Sequence, residues 1–252
     1  MSSVEGVYII WRREVKRYVR EKSQLFSTLF LSLVWLIIFG TGIGSMKFGK
    51  TSSGDYGVFL FPGIIGMVIL ITSLRSGVSI IRDIDFGFLR VLVVSPASTL
   101  ILILGKTLGD STVAMSQGVM ILLLSFIVDI PLHLDTLILS VPTMLLISAG
   151  LVALGLIIAS FMRSFEGFNI IMSLLFMPMF FLSGALFPIE ILPGWLKQLT
   201  YINPLTYGVD ALRHIILGTS VFPLLTDMVI LICFDVLMVL IAVKSFEKKS
   251  IY

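Results

Sequence analysis

The sequence predicts an all-α integral membrane protein with six transmembrane helices, and three observations predict it. Hydrophobic residues make up 57% of the chain and charged residues 13%, about half the charge of a soluble domain, and mean hydropathy is +1.07. The apolar stretches are unbroken runs of helical length rather than the alternating ~10-residue segments of an outer-membrane barrel. The polar segments between them hold their bases unevenly, as cytoplasmic and external loops do. One cysteine and two well-separated histidines exclude a disulfide framework and give no metal-ligand spacing.

Residues 7–22, VYIIWRREVKRYVREK, are expected to form an N-terminal amphipathic interfacial helix. Tyr8, Trp11, Val15 and Tyr18–Val19 recur at helical spacing, with Arg12, Arg13, Lys16, Arg17 and Arg20 opposite. Aromatic residues on one side and bases on the other suit a helix lying against anionic lipid, so the net charge of +3 points to the bilayer and not to nucleic acid. Arg12-Arg13 is followed by more charge, unlike a twin-arginine export signal.

Six runs near 20 residues qualify as spans: 24–43, 58–81, 108–128, 137–161, 168–186 and 224–243. The first is too long and too strongly flanked by charge for a cleaved signal peptide. With the N-terminus inside, the inner segments hold thirteen bases, among them Arg82, Arg90, Lys106, Arg163 and Lys244. The outer segments hold four: Lys47, Lys50, Lys197 and Arg213. The positive-inside rule therefore expects both termini in the cytoplasm and a plasma (inner) membrane setting.

Residues 187–218 cannot span. Pro188, Pro193 and Pro204 interrupt helical hydrogen bonding, so short external re-entrant or amphipathic helices are expected between spans five and six. Asn203-Pro204 is a helix start and Gly218 a stop. The intervening helix would be about 21 Å long at ~1.5 Å per residue, against a hydrocarbon core of ~30 Å. Thr206, Asp210, Arg213 and His214 share one face, and Leu205, Val209, Leu212 and Ile216 another, which predicts an amphipathic cap pressed on the membrane boundary.

Inside the spans, ionisable residues default to functional candidates. Arg75 in span two and Asp235 in span six lie at similar depth, so an interhelical pair is expected. Lys106 and Asp110, four apart, are expected to pair locally. Ser148, Gly150, Gly155 and Ser160 in span four suit close helix packing. Met172, Phe176, Met177, Met179, Phe180 and Phe181 crowd span five around Pro178, as either packing surface or a pathway for a hydrophobic substrate.

The run LSGALFPIEILPGWLKQLTYINPLTYGVDALR, with its core from Asn203 to Arg213, resembles the signature of ABC-2-type transporter permeases, the membrane subunits of exporters of the daunorubicin-resistance and nodulation-exporter kind. The resemblance covers nearly the whole chain and implies a single transmembrane domain over 1–252. It implies a cytoplasmic coupling helix at 82–94, with Arg82, Asp83, Asp85, Phe86, Leu89 and Arg90 facing an ATPase subunit. It also implies an external gate built on the motif residues Asn203, Pro204, Tyr207, Asp210 and Arg213. The coupling segment departs from the family in starting with aspartates where glutamates are usual. No Walker sequence occurs, so ATP and Mg would be bound by the partner ATPase and this chain would carry no cofactor and no catalytic residues. Six spans leave little room for a complete pathway, which implies a second copy or a paralogue. The competing expectations are an ATP-independent secondary transporter or channel, which needs paired broken helices and coupling charges, and a membrane-embedded enzyme, for which no convergent set of side chains is present. The cargo, whether drug, lipid or glycan, is not encoded in any recognisable pattern.

Overall fold

Long apolar runs, proline and glycine interruptions and one basic helix become a helical bundle. A computed structural model describes residues 3–43, 56–85, 99–131, 133–162 and 164–249, and all regular structure among them is helical. The order is α1 (Ser3–Arg20), α2 (Lys22–Ile43), α3 (Tyr56–Leu74), α4 (Ser76–Asp85), α5 (Thr99–Leu122), α6 (Leu134–Phe161), α7 (Phe165–Phe181), α8 (Gly194–Ile202), α9 (Pro204–Leu217) and α10 (Leu224–Lys249). Short 3₁₀ turns lie at Ser125–Val128 and Ile189–Ile191.

Helix α3 forms the axis. Leu60, Phe61, Ile64, Ile65 and Met67–Leu70 are at most 1% exposed, because α2, α5, α6, α7 and α9 all pack on it. Two glycines set the approach on one side: a Cβ at Gly63 would meet the backbone of Ala185, and one at Gly66 would meet Val209. The small residues of span four serve packing as expected. Gly155 backs onto Leu74, Gly150 onto Phe234 and Asp235, and the Ser148 and Ser160 hydroxyls donate to the carbonyls of Leu145 and Ile157, which satisfies them within the helix.

Among the described residues, four helices are long and apolar enough to cross a membrane: Tyr56–Arg82, Thr99–Ile127, Leu134–Phe161 and Leu224–Glu247. The expected first and fifth spans contain shorter apolar helices, Phe26–Phe39 and Phe165–Phe181. Helix α7 runs through Pro178 and ends at Phe181, where a turn follows with Gly184 at φ +73°, a conformation that favours glycine.

Other boundaries also differ from the sequence expectation. Span three begins at Thr99, not at 108, because Lys106 is buried within it and neutralised from another helix. Span two is broken at Arg75, where α3 ends and α4 resumes one residue later. Of the expected coupling helix, Arg82, Asp83 and Asp85 form the last turn of α4; Phe86, Leu89 and Arg90 lie outside the described residues.

Candidate functional site

The chemistry-bearing side chains gather at opposite ends of α3. At the Leu74 end stands an ionic junction that joins three helices. Helix α1 docks lengthwise on α5, with Gly6, Ile10, Glu14 and Tyr18 as its buried stripe at four-residue spacing. Gly105 and Gly109 of α5 make room, since a Cβ at either would strike Ile10 or Glu14. Trp11 Nε1 donates to Thr112 Oγ1 at 3.1 Å. Glu14 is 1% exposed and Lys106 0%. Their side chains meet at 3.1 Å, while Lys106 Nζ donates to Ser79 Oγ of α4 at 2.6 Å. Arg17 closes on Glu14 at 2.5 Å and approaches Asp110 at 3.9 Å. Burial raises the Tyr18 phenol above its ordinary range, against the neighbouring Gln117 and Ser116 side chains, which lower it, so the hydroxyl keeps its proton.

The face of α1 that packs on the bundle is not its expected aromatic strip. Tyr8 and Val19, assigned to its apolar side, are 54% and 61% exposed; the packed face contains Glu14 instead. Sequence reasoning missed Glu14 and Ser79. The available signal was an acid set among the bases of the helix, four residues from both Ile10 and Tyr18, together with a lone lysine in an apolar run. The expected Arg75–Asp235 pair does not form. Arg75 is exposed at the α3–α4 break, where it lines a cleft with α1 residues. Asp235 sits against Gly150 of α6, whose missing side chain admits the carboxylate.

At the Tyr56 end, residues 182–222 fold into a hairpin fastened by the Asn203–Arg213 segment. Asn203 caps α9 by accepting from Leu205 N at 3.1 Å, and donates from Nδ2 to Met179 O at 2.7 Å. Pro204 occupies the first helical turn, where its missing donor costs nothing. Thr206 Oγ1 donates to Thr200 O at 2.7 Å and Tyr207 OH to Tyr201 O at 2.6 Å, tying α9 back to α8. Burial raises the Tyr207 phenol, and the neighbouring Asp227 and Tyr201 side chains add to the shift, so it stays a donor.

Asp210 is 1% exposed and its carboxylate accepts from Val221 N (3.0 and 2.9 Å) and Phe222 N (2.8 Å). That secures the chain leaving α9 after Gly218, at φ +70°. Arg213 Nη2 donates to Gly184 O at 2.9 Å, and its guanidinium lies 4.2 Å from the centre of the Phe59 ring on α3. Burial pulls this guanidinium down to about 10, against the neighbouring Asp210 and Glu190 charges, which hold it up; it remains a cation at neutral pH.

Helix α9 is thus not a cap on the boundary. Both its faces are buried from Leu205 through Arg213, between α3, α6 and α10, because its polar face is satisfied by backbone groups of the hairpin itself. Helix α8, by contrast, leaves Trp195, Leu199 and Ile202 exposed.

The profile of the ABC-2 type transporter family matches residues 5–217, from the α1 dock through the hairpin. The chain is 25% identical over 234 residues to "Inner membrane transport permease YadH" of Escherichia coli (strain K12), covering 92% of this chain and 91% of that protein. It is 32% identical over 181 residues to "Probable multidrug ABC transporter permease YbhR" of the same organism, covering 68% and 49%. The chain therefore belongs to the ABC-2 type transporter family and is a membrane permease of an ABC transporter.

Proposed function

We propose that this chain is the membrane subunit of an ATP-driven exporter in the inner (plasma) membrane. Two copies, or one with a paralogue, act with two separate cytoplasmic ATPase subunits that bind ATP and Mg. The cargo is a hydrophobic or amphipathic molecule, whether drug, lipid or glycan. The name of the relative YadH supports the inner-membrane setting, and that of YbhR supports a cargo of this kind.

The carrying observation is the Glu14–Lys106–Ser79 junction. Helix α4 leads directly into the 82–94 segment that would meet the ATPase through Arg82, Asp83, Asp85, Phe86, Leu89 and Arg90. Because Ser79 of α4 is tied to α5 and α1, a push on that segment moves all three helices together. At the far end of α3 the hairpin would act as the exit gate, with Asn203, Pro204, Tyr207, Asp210 and Arg213 as its fasteners. Both termini are then cytoplasmic.

The test is gentle extraction of the full chain with mass spectrometry of what stays bound, for wild type and for Asp85→Ala with Arg90→Ala. A stoichiometric Walker-type ATPase is expected with wild type and its loss with the double variant. A clean homo-oligomer without an ATPase would sink the proposal, and normal recovery by the variant would remove the coupling assignment.

A further inference from the structure

Beside the ionic junction lies a cleft of about 710 Å³ between α1, α2, the α3–α4 break and the start of α7, within the ~300–1,000 Å³ of small-molecule sites. Arg75 stands out in it. Leu74 and Ser76 on either side are buried, yet Arg75 is exposed and lines the cleft, and no ion pair among the described residues includes it. Arg17 and Arg82 line the same space, the latter 6.0 Å from the centre of the Phe165 ring. Two of the acids present, Glu14 and Asp110, already face Lys106 and Arg17. Ser27 and Asn169 add neutral hydrogen-bonding groups.

A cation on a spanning helix is costly unless something neutralises it, and guanidinium forks match phosphate oxygens bidentately. The helices that flank the cleft also leave apolar surface free: Phe26 and Phe30 on α2, Ile170 and Leu174 on α7. A head-and-tail ligand is what such a surface accommodates.

We propose that the cleft binds the anionic phosphate headgroup of a lipid-like amphiphile, with Arg75 as the direct ligand and Arg17 and Arg82 flanking it. The site belongs to the permease alone and needs no ATPase, so its failure is separable from failure of the exporter proposal. The test uses the full chain in phosphatidylcholine nanodiscs doped with phosphatidylglycerol, with native mass spectrometry counting the lipid retained. Wild type is expected to retain phosphatidylglycerol about tenfold more tightly than Arg75→Gln, with Arg75→Lys in between and Arg82→Gln weakened. Retention that inorganic phosphate does not displace identifies the lipid headgroup. Phosphate binding without lipid selectivity would overturn the headgroup assignment. Equal retention by wild type and folded Arg75→Gln would overturn the site; should Arg75→Gln not fold, equal retention by wild type, Arg75→Lys and Arg82→Gln would do the same.

Discussion

Replacing Glu14 by alanine removes the carboxylate 3.1 Å from an ammonium that is 0% exposed. Breaking a buried ion pair by deleting one partner costs about 3–5 kcal/mol, because the survivor keeps its desolvation penalty. At about 2–4 °C per kcal/mol for a chain near this size, the melting temperature is expected to fall by roughly 6–20 °C. Glu14→Leu with Lys106→Met removes both charges at similar volume, and is expected to recover most of the loss. Lys16→Ala, on the exposed side of α1, is expected to change nothing measurable. The assay is fluorescence-detected size exclusion after heating in detergent, with circular dichroism to confirm helix content. A Glu14→Ala protein melting within about 2 °C of wild type would refute the buried junction. A double variant no more stable than Glu14→Ala would refute the electrostatic account of it. If the double variant is stable but transports poorly while its ATPase still turns over, the junction transmits force as well as holding α1.

At the hairpin, Asp210→Asn weakens the charge-assisted acceptance of the Val221 and Phe222 amides by about 1.5–3 kcal/mol; hydrogen exchange at 221–222 should accelerate by at least tenfold, and unchanged exchange would count against the fastener role. Gly63→Ala sets a methyl carbon 2.6 Å from the Ala185 carbonyl oxygen, an overpacking worth about 1–3 kcal/mol. Gly194→Ala, with nothing within 4 Å, should leave the melting temperature unmoved, and equal behaviour of the two glycines would undo the close-approach argument. A cysteine at Gly194 should react with an impermeant thiol reagent in intact cells; labelling only after lysis would reverse the assigned sidedness.

What the sequence made legible followed from signals that act locally. Run length marked the helices, and Pro188, Pro193 and Gly218 marked the breaks, each through backbone chemistry confined to a few residues. The Asn203-Pro204 start was visible for the same reason. What escaped depended on partners distant in the chain. Lys106 counted with the inner loop and matched Asp110 by spacing because nothing near it in the chain reveals that Glu14 neutralises it. The polar face of α9 looked solvent-facing because its acceptors, Gly184 O and Thr200 O, are backbone atoms that every sequence has. Matching Arg75 to Asp235 by depth failed because depth is one coordinate of three: Arg75 turns out at the helix break, whereas Asp235 faces Gly150.

The junction also imposes an order on how the molecule is made. Glu14 and Lys106 are 92 residues apart, so at translation rates of about 5–20 residues per second the carboxylate waits roughly 5–18 s for its counter-ion. During that interval α1 has no α5 to lie on, and its arginines are expected to hold it at the headgroups while its acid stays hydrated. Docking then reports that α5 has entered the membrane in the correct register, because a slip of one residue would bring an uncharged side chain to Glu14. A nascent chain stalled before Thr99 should leave α1 open to protease, and completion of α5 should close it. The first helix synthesised is thus not secured until the fifth is made, and its buried acid acts as a checkpoint on the insertion of that later helix.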